Sequence, residues 1–204
     1  MDSYKTPSEN CIREITVERS RFIATIAHVE SEAEAAEFVA SKKAEYHDAR
    51  HNCWAYVLKD GLSRFSDDGE PHGTAGKPML DVLCGSELVD VCVVVTRYFG
   101  GVLLGTGGLV RAYSSAVKTA LADTKSVTMQ CCMEYTVRCE YSDFDYMQKN
   151  VLRFGSVADS TFDTAVTLTV AIKQDCCGEF EDMLEKLFMG RYELKKIGEK
   201  IMPI

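Results

Sequence analysis

The side chains able to do chemistry concentrate in three short segments. The first reads Asp48-Ala49-Arg50-His51-Asn52-Cys53-Trp54-Ala55-Tyr56. His47 and His51 stand four apart, the spacing that aligns two imidazoles on a helix, and Cys53 adds a thiol close by; together they could hold a metal. A helix that ends near His47 breaks that alignment, and the segment then reads as a polar turn from helix to strand. His51 and Cys53 could also pair as base and nucleophile. Two apart on a strand, they point to one face, but that spacing does not by itself supply their hydrogen bond.

The second segment runs Ser66-Asp67-Asp68-Gly69-Glu70-Pro71-His72-Gly73-Thr74-Ala75-Gly76-Lys77-Pro78. Its glycines and prolines make a structured loop. Three carboxylates this close repel one another unless they are solvated, paired with cations or bound to a hard metal ion. Asp67, Asp68 and Glu70 could therefore hold magnesium, or they could cap the helix that follows. The capping reading leads to the expectation of no metal and no cofactor.

The third segment, Thr96 to Tyr113, carries a buried strand into the turn Tyr98-Phe99-Gly100-Gly101 and then into Gly105-Thr106-Gly107-Gly108. Free N–H groups at a helix start, together with the helix dipole, favour an anion. Arg97, Arg111 and Lys77 would supply positive charge beside Gly105 to Gly108, and an arginine fork suits phosphate or carboxylate. The pattern is neither a Walker A loop nor a clean GxGxxG. The alternative is that the glycines serve tight backbone packing alone.

These segments need elements to hold them. Alternation predicts two strands between Cys11 and Val29, broken at Arg19-Ser20. A helix follows from Ser31 to about Tyr46, opened by the capping box Ser31…Glu34. Strands are expected near Asn52–Leu58, Leu62–Phe65 and Val91–Val95, with helices near Lys77–Leu83 and Gly107–Ala122. The polar run Asp123-Thr124-Lys125-Ser126 marks a boundary between domains 1–125 and 126–204. Beyond it the order reads βαββαβ, a ferredoxin-like domain. Its first helix carries Phe144, Met147, Val151 and Phe154 and stops at Gly155; its second runs from Cys177 to Met189. The fold class is α/β in the α+β sense.

Composition narrows the function classes. The net charge is −8, shared evenly: 14 basic against 18 acidic residues up to Lys125, and 9 against 13 beyond it. Neither half has the basic balance of a typical nucleic-acid binder, so an RNA contact needs a local basic patch. There is no apolar leader and no run long enough to span a bilayer. The nine cysteines include no CxxC pair, so reduced thiols in a cytoplasmic protein are expected. No catalytic triad and no HExxH motif is present.

Three stretches together resemble the YigZ/IMPACT family: DARHNCWAY at 48–56, RFSDDGEPHGTAGKPML at 64–80 and VVVTRYFGGVLLGTGGLVRAYSSAV at 93–117. They occur in the family's order, and the second domain is similar to that of the bacterial-type members. His72 stands where the family usually has a small residue, and Leu103-Leu104 where a polar residue often precedes Leu-Gly. Both departures bear on ligand specificity.

The resemblance implies an N-terminal domain like the second domain of a small-subunit ribosomal protein, with a left-handed βαβ unit. It also implies a C-terminal domain like the last domain of translocation elongation factors. Eukaryotic relatives regulate translation in the stress response, through an additional N-terminal domain with no counterpart in these residues. Two functions follow. One is a non-enzymatic regulator that binds RNA, the ribosome or translation factors. The other is an enzyme or binding protein for a phosphorylated small molecule, using the glycine turn and the acidic loop. A plain protein–protein adaptor is a third. Oligomeric state is left open.

Overall fold

A computed structural model describes residues 3–203. They form two compact units, Tyr4–Thr128 and the chain from Met129 onward. In the first unit the strands are β1 (Ser3–Pro7), β2 (Cys11–Val17), β3 (Ser20–His28), β4 (His51–Val57), β5 (Ser63–Ser66) and β6 (Val91–Tyr98). Its helices are α1 (Glu32–Glu45), α2 (Gly76–Cys84) and α3 (Gly105–Ala122). Strand β1 was not foreseen. It is held by Val89 N–H donating to Lys5 O at 3.0 Å, and beyond it Ser8 N–H donates to Lys125 O at 3.0 Å.

Five strands stand in the order β2-β3-β6-β4-β5, every neighbouring pair antiparallel. β6 is central and buried on both faces, which accounts for its run of valines. On one face Val91, Val93 and Val95 meet Cys53, Ala55, Leu109, Tyr113 and Ala116 under α2 and α3. On the other, Cys92 and Val94 pack with Ala35, Val39 and Tyr56 under α1. Ser31 caps α1 as its capping box predicts, with its side chain accepting from Glu34 N–H at 3.2 Å. α3 begins at Gly105, two residues earlier than the apolar periodicity alone placed it.

The hairpin between β2 and β3 turns in two residues, Glu18 and Arg19, both at positive φ (44° and 67°). This geometry matches the twist of the strands but is normally left to glycine or asparagine. Gly100 lies against this turn. A Cβ there would come within 2.1 Å of the Arg19 carbonyl, and Gly100 N–H donates to Ser20 Oγ at 3.2 Å.

The second unit holds β7 (Ser126–Cys139, which begins in the first unit), α4 (Phe144–Val151), β8 (Gly155–Phe162), β9 (Val166–Lys173), α5 (Cys177–Phe188) and β10 (Tyr192–Pro203). The strands stand β10-β7-β9-β8, all antiparallel, the split βαβ order. One expectation needs correction. Gly155 does not stop α4, which ends at Val151; it opens β8. A Cβ at Gly155 would lie 1.9 Å from the Ala171 carbonyl, so the glycine serves a close strand approach. Gly190 does follow α5, where Met189 and Gly190 both take left-handed φ.

Replacing Gly100 with alanine should lower the unfolding free energy by about 2 kcal/mol, because the methyl group displaces the β2–β3 turn. Urea unfolding of Gly100→Ala beside the parent protein measures this; an unchanged midpoint would remove Gly100 as the turn's packing partner.

Candidate functional site

The site grows from the paired ends of β4 and β6. His51 lies opposite Arg97 across the two strands, and Cys53 lies opposite Val95. These side chains share the face that α2 and α3 cover, so Arg97 enters the layer under the helices. Its side chain is 8% exposed and that of Glu70 is 3% exposed. Arg97 Nη1 donates to Glu70 Oε1 at 2.7 Å, and Tyr113 Oη of α3 donates to the same oxygen at 2.8 Å. Cys53 Sγ donates its one proton to the Asp67 carbonyl at 2.9 Å and lies 3.4 Å from Tyr113 Oη. One network therefore ties β4, β6, the acidic loop and α3 together. Arg97 Nε is buried without a partner.

The acidic loop is built from within. The Asp67 carboxylate accepts from Gly73 N–H at 2.8 Å, Gly76 N–H at 2.8 Å and Ala75 N–H at 3.0 Å, so it fills the N–H nest at the start of α2. Burial works against its charge, but these three donors prevail and hold its pKa below the ordinary value. Asp68 takes left-handed φ of 43°, and its carboxylate accepts from Asn52 N–H at 2.7 Å and Lys43 Nζ at 2.5 Å. The Asp68 carbonyl meets His51 Nδ1 at 2.8 Å. A carbonyl can only accept, which assigns a proton to Nδ1.

The three carboxylates are thus turned to separate tasks, and they do not converge as magnesium ligands. No cluster of three His, Cys, Asp or Glu side chains suited to a metal occurs among the described residues. The pairing of His47 and His51 is broken because α1 ends at Glu45 and His51 starts β4. Cys53 is no thiolate nucleophile: burial, foremost, drives its pKa far above the ordinary thiol value. Burial does the same to the Tyr113 phenol.

The anion-binding candidates separate. Lys77 on α2 is paired with Asp81 and exposed. Gly105, Thr106 and Gly107 lie exposed at the start of α3, where Leu104 offers no side-chain cap, and Gly108 is half-buried. The Arg111 guanidinium lies beside Gly107, 3.7 Å from where a Cβ would stand. Arg97 instead lines a cavity of about 180 Å³ with Arg50, His51, Phe99 and Leu103. The guanidinium of Arg97 stands over two rings, Phe22 at 5.5 Å and Phe99 at 5.7 Å.

Sequence reasoning missed Arg50, Phe99 and Tyr113. Tyr113 had a readable signal: it lies on the core side of its helix, where a phenolic hydroxyl requires a partner. Arg50 and Phe99 adjoin residues already singled out, but only the β4–β6 register brings them to one cavity.

A first unit of this kind, with a buried Arg–Glu–Tyr network under a small cationic cavity, followed by a βαββαβ unit, defines a two-unit α/β class. The Impact N-terminal domain family matches residues 18–121. The IMPACT family member YigZ of Escherichia coli K12 is 39% identical over 204 residues, covering 98% of this chain and 100% of the relative. The protein IMPACT homolog of Dictyostelium discoideum is 34% identical over 134 residues, covering 59% of this chain and 36% of that one. A crystal structure of a hypothetical protein superposes with a TM-score of 0.65 at 38% identity, covering 98% of this chain and 100% of that one. The chain belongs to the IMPACT family.

The lowered pKa of Asp67 fixes the sign of a pH dependence. A depressed carboxylate adds stability above its unfolded value, near pH 4, and loses it as pH falls through the folded value. Asp67→Asn should therefore be less stable than the parent at neutral pH, and the gap should close on acidification below about pH 4. Thermal melts of both proteins across pH measure it, and a gap independent of pH would contradict the assignment.

Proposed function

We propose that this protein is a non-enzymatic, cytoplasmic regulator associated with translation, which meets RNA, the ribosome or a translation factor through the cationic cavity of its first unit. Membership of the IMPACT family supports the general role. The observation that carries the contact surface is the cavity of Arg50, His51 and Arg97, set in a chain of net charge −8. Such a local patch is what an acidic protein needs to hold an anionic partner. Arg111, exposed beside the start of α3, would extend the positive surface.

The chemistry of the neighbouring groups supports a binding role over a catalytic one. Cys53 is held as a thiol, and Glu70 is engaged by Arg97 and Tyr113. The three acidic-loop carboxylates are each occupied by local donors. The second reading, a binding protein for a phosphorylated small molecule, is favoured by one feature. His51 Nε2 and two arginines lie around a concave space instead of along a flat surface.

Sedimentation with purified ribosomes over a salt series tests the proposal. Co-sedimentation should weaken steeply with salt, and the double variant Arg50→Ala, Arg111→Ala should bind less and with a salt slope lower by about two, roughly one for each phosphate contact removed. Arg97 is kept intact because its removal would leave Glu70 buried without its cation. Failure to co-sediment at any salt would overturn the translation reading.

A further inference from the structure

The cavity beside Arg97 has features that a plain phosphate contact does not require. Phe99 is 47% exposed and Leu103 is 87% exposed, both at its rim. Exposed apolar groups of that size, next to three cationic or basic side chains, leave apolar surface in water that a flat, anionic ligand would cover. Phe99 is also held in place. The guanidinium of Arg97 stands over its ring, and the next residue, Gly100, is pressed against the β2–β3 turn. The ring is a supported platform on a residue that is about half open to solvent.

Arg97 adds a second, independent observation. Its side chain is 8% exposed and lines the cavity, and its Nε is buried without a partner. Glu70 Oε1 accepts only Nη1 of the guanidinium, so the pair is single-pronged and the fork's donor capacity is not used up. His51 is fixed with Nδ1 turned to the Asp68 carbonyl, which leaves the far side of the imidazole to the cavity. Arg50 is exposed, with no ion-pair partner among the described residues.

Size then restricts the ligand. At about 180 Å³ the cavity falls below the ~300–1,000 Å³ of sites that enclose a whole drug-sized molecule. It takes one group and leaves the rest of the ligand outside. We infer that this cavity is a site for a single unstacked nucleoside phosphate, with the base against Phe99 and Leu103 and the phosphate between Arg50 and Arg97. The inference rests on the reading that the cavity receives an anionic partner, and it names the chemistry of that partner. A base stacked inside a duplex offers no free face, so single-stranded RNA or a free nucleotide fits and duplex RNA does not.

The test uses the full chain and fluorescence anisotropy with a labelled single-stranded RNA of about ten nucleotides, within the span that such grooves cover. Competitors are adenosine monophosphate, inorganic phosphate, a duplex of the same sequence and a short acidic peptide. The variant is Phe99→Ala, whose exposed position spares the core; its melting temperature is recorded alongside.

Single-stranded RNA should bind, and Phe99→Ala should weaken it about tenfold at an unchanged melting temperature, the loss expected for one stacked base. Competition by adenosine monophosphate identifies a free nucleotide as a sufficient ligand; binding of RNA without such competition assigns the site to the polymer. Absence of binding, equal affinity for the duplex, an unchanged Phe99→Ala variant, or competition by phosphate or the acidic peptide as strong as by the nucleotide would each overturn the inference. Ribosome co-sedimentation that survives Phe99→Ala while RNA binding is absent leaves the translation reading standing. Nucleotide binding without ribosome co-sedimentation leaves this inference standing alone.

Discussion

The first unit depends on one buried interaction, the contact of Arg97 with Glu70. A guanidinium and a carboxylate taken out of water each lose several kcal/mol of hydration, and their attraction returns this only with good geometry and further donors. Here Tyr113 supplies the further donor, to the same carboxylate oxygen that Arg97 reaches. Apolar side chains of similar volume often replace a buried ion pair without loss of stability, so what matters here is what the pair connects. With Tyr113 and its neighbour Cys53 it joins four pieces of chain: the start of β4, the acidic loop, the end of β6 and the middle of α3. Breaking it would free the loop that carries Glu70 and release the Arg97 side chain, which lines the cavity.

The rest of the loop follows from the same logic of enclosed charge. Asp67 is an internal anion for the helix start behind it, and Asp68 joins β4 to Lys43 of α1. Each carboxylate is satisfied by its own donors, so a loop that reads as a metal site in sequence is a bracket in three dimensions. The bracket fixes His51, whose tautomer is set by the Asp68 carbonyl. The cavity that results is lined from the start of β4, the end of β6 and the turn that follows β6, so two paired strands place His51 and Arg97.

Much of this was legible from the residues. The valine run of β6, the Ser31 capping box and the βαββαβ order each rest on short-range rules, and these elements appear within a few residues of their expected bounds. The three motif segments were also recognisable as special. What could not be read was their division of labour. That the Asp67 carboxylate turns inward to three N–H groups depends on the left-handed Asp68-Gly69 turn, which sequence spacing does not specify. That Arg97 leaves the glycine turn and joins His51 depends on the β4–β6 register. Lys77 looked available beside the loop, but helical spacing gives it Asp81 four residues on. Strand β1 escaped notice because the polar stretch Ser3–Pro7 shows no apolar alternation.

A double-mutant cycle on Glu70 and Arg97 tests the central claim most directly. Urea unfolding of Glu70→Ala, Arg97→Ala and the double variant gives the coupling between the two side chains. Each single substitution should cost about 3–5 kcal/mol, because it strands a buried charge. The double variant should cost less than the sum by about 1–3 kcal/mol, the mark of residues in one network. Additive losses would contradict the account, since they would mean that the two side chains contribute separately and that the loop is held to the sheet by something else.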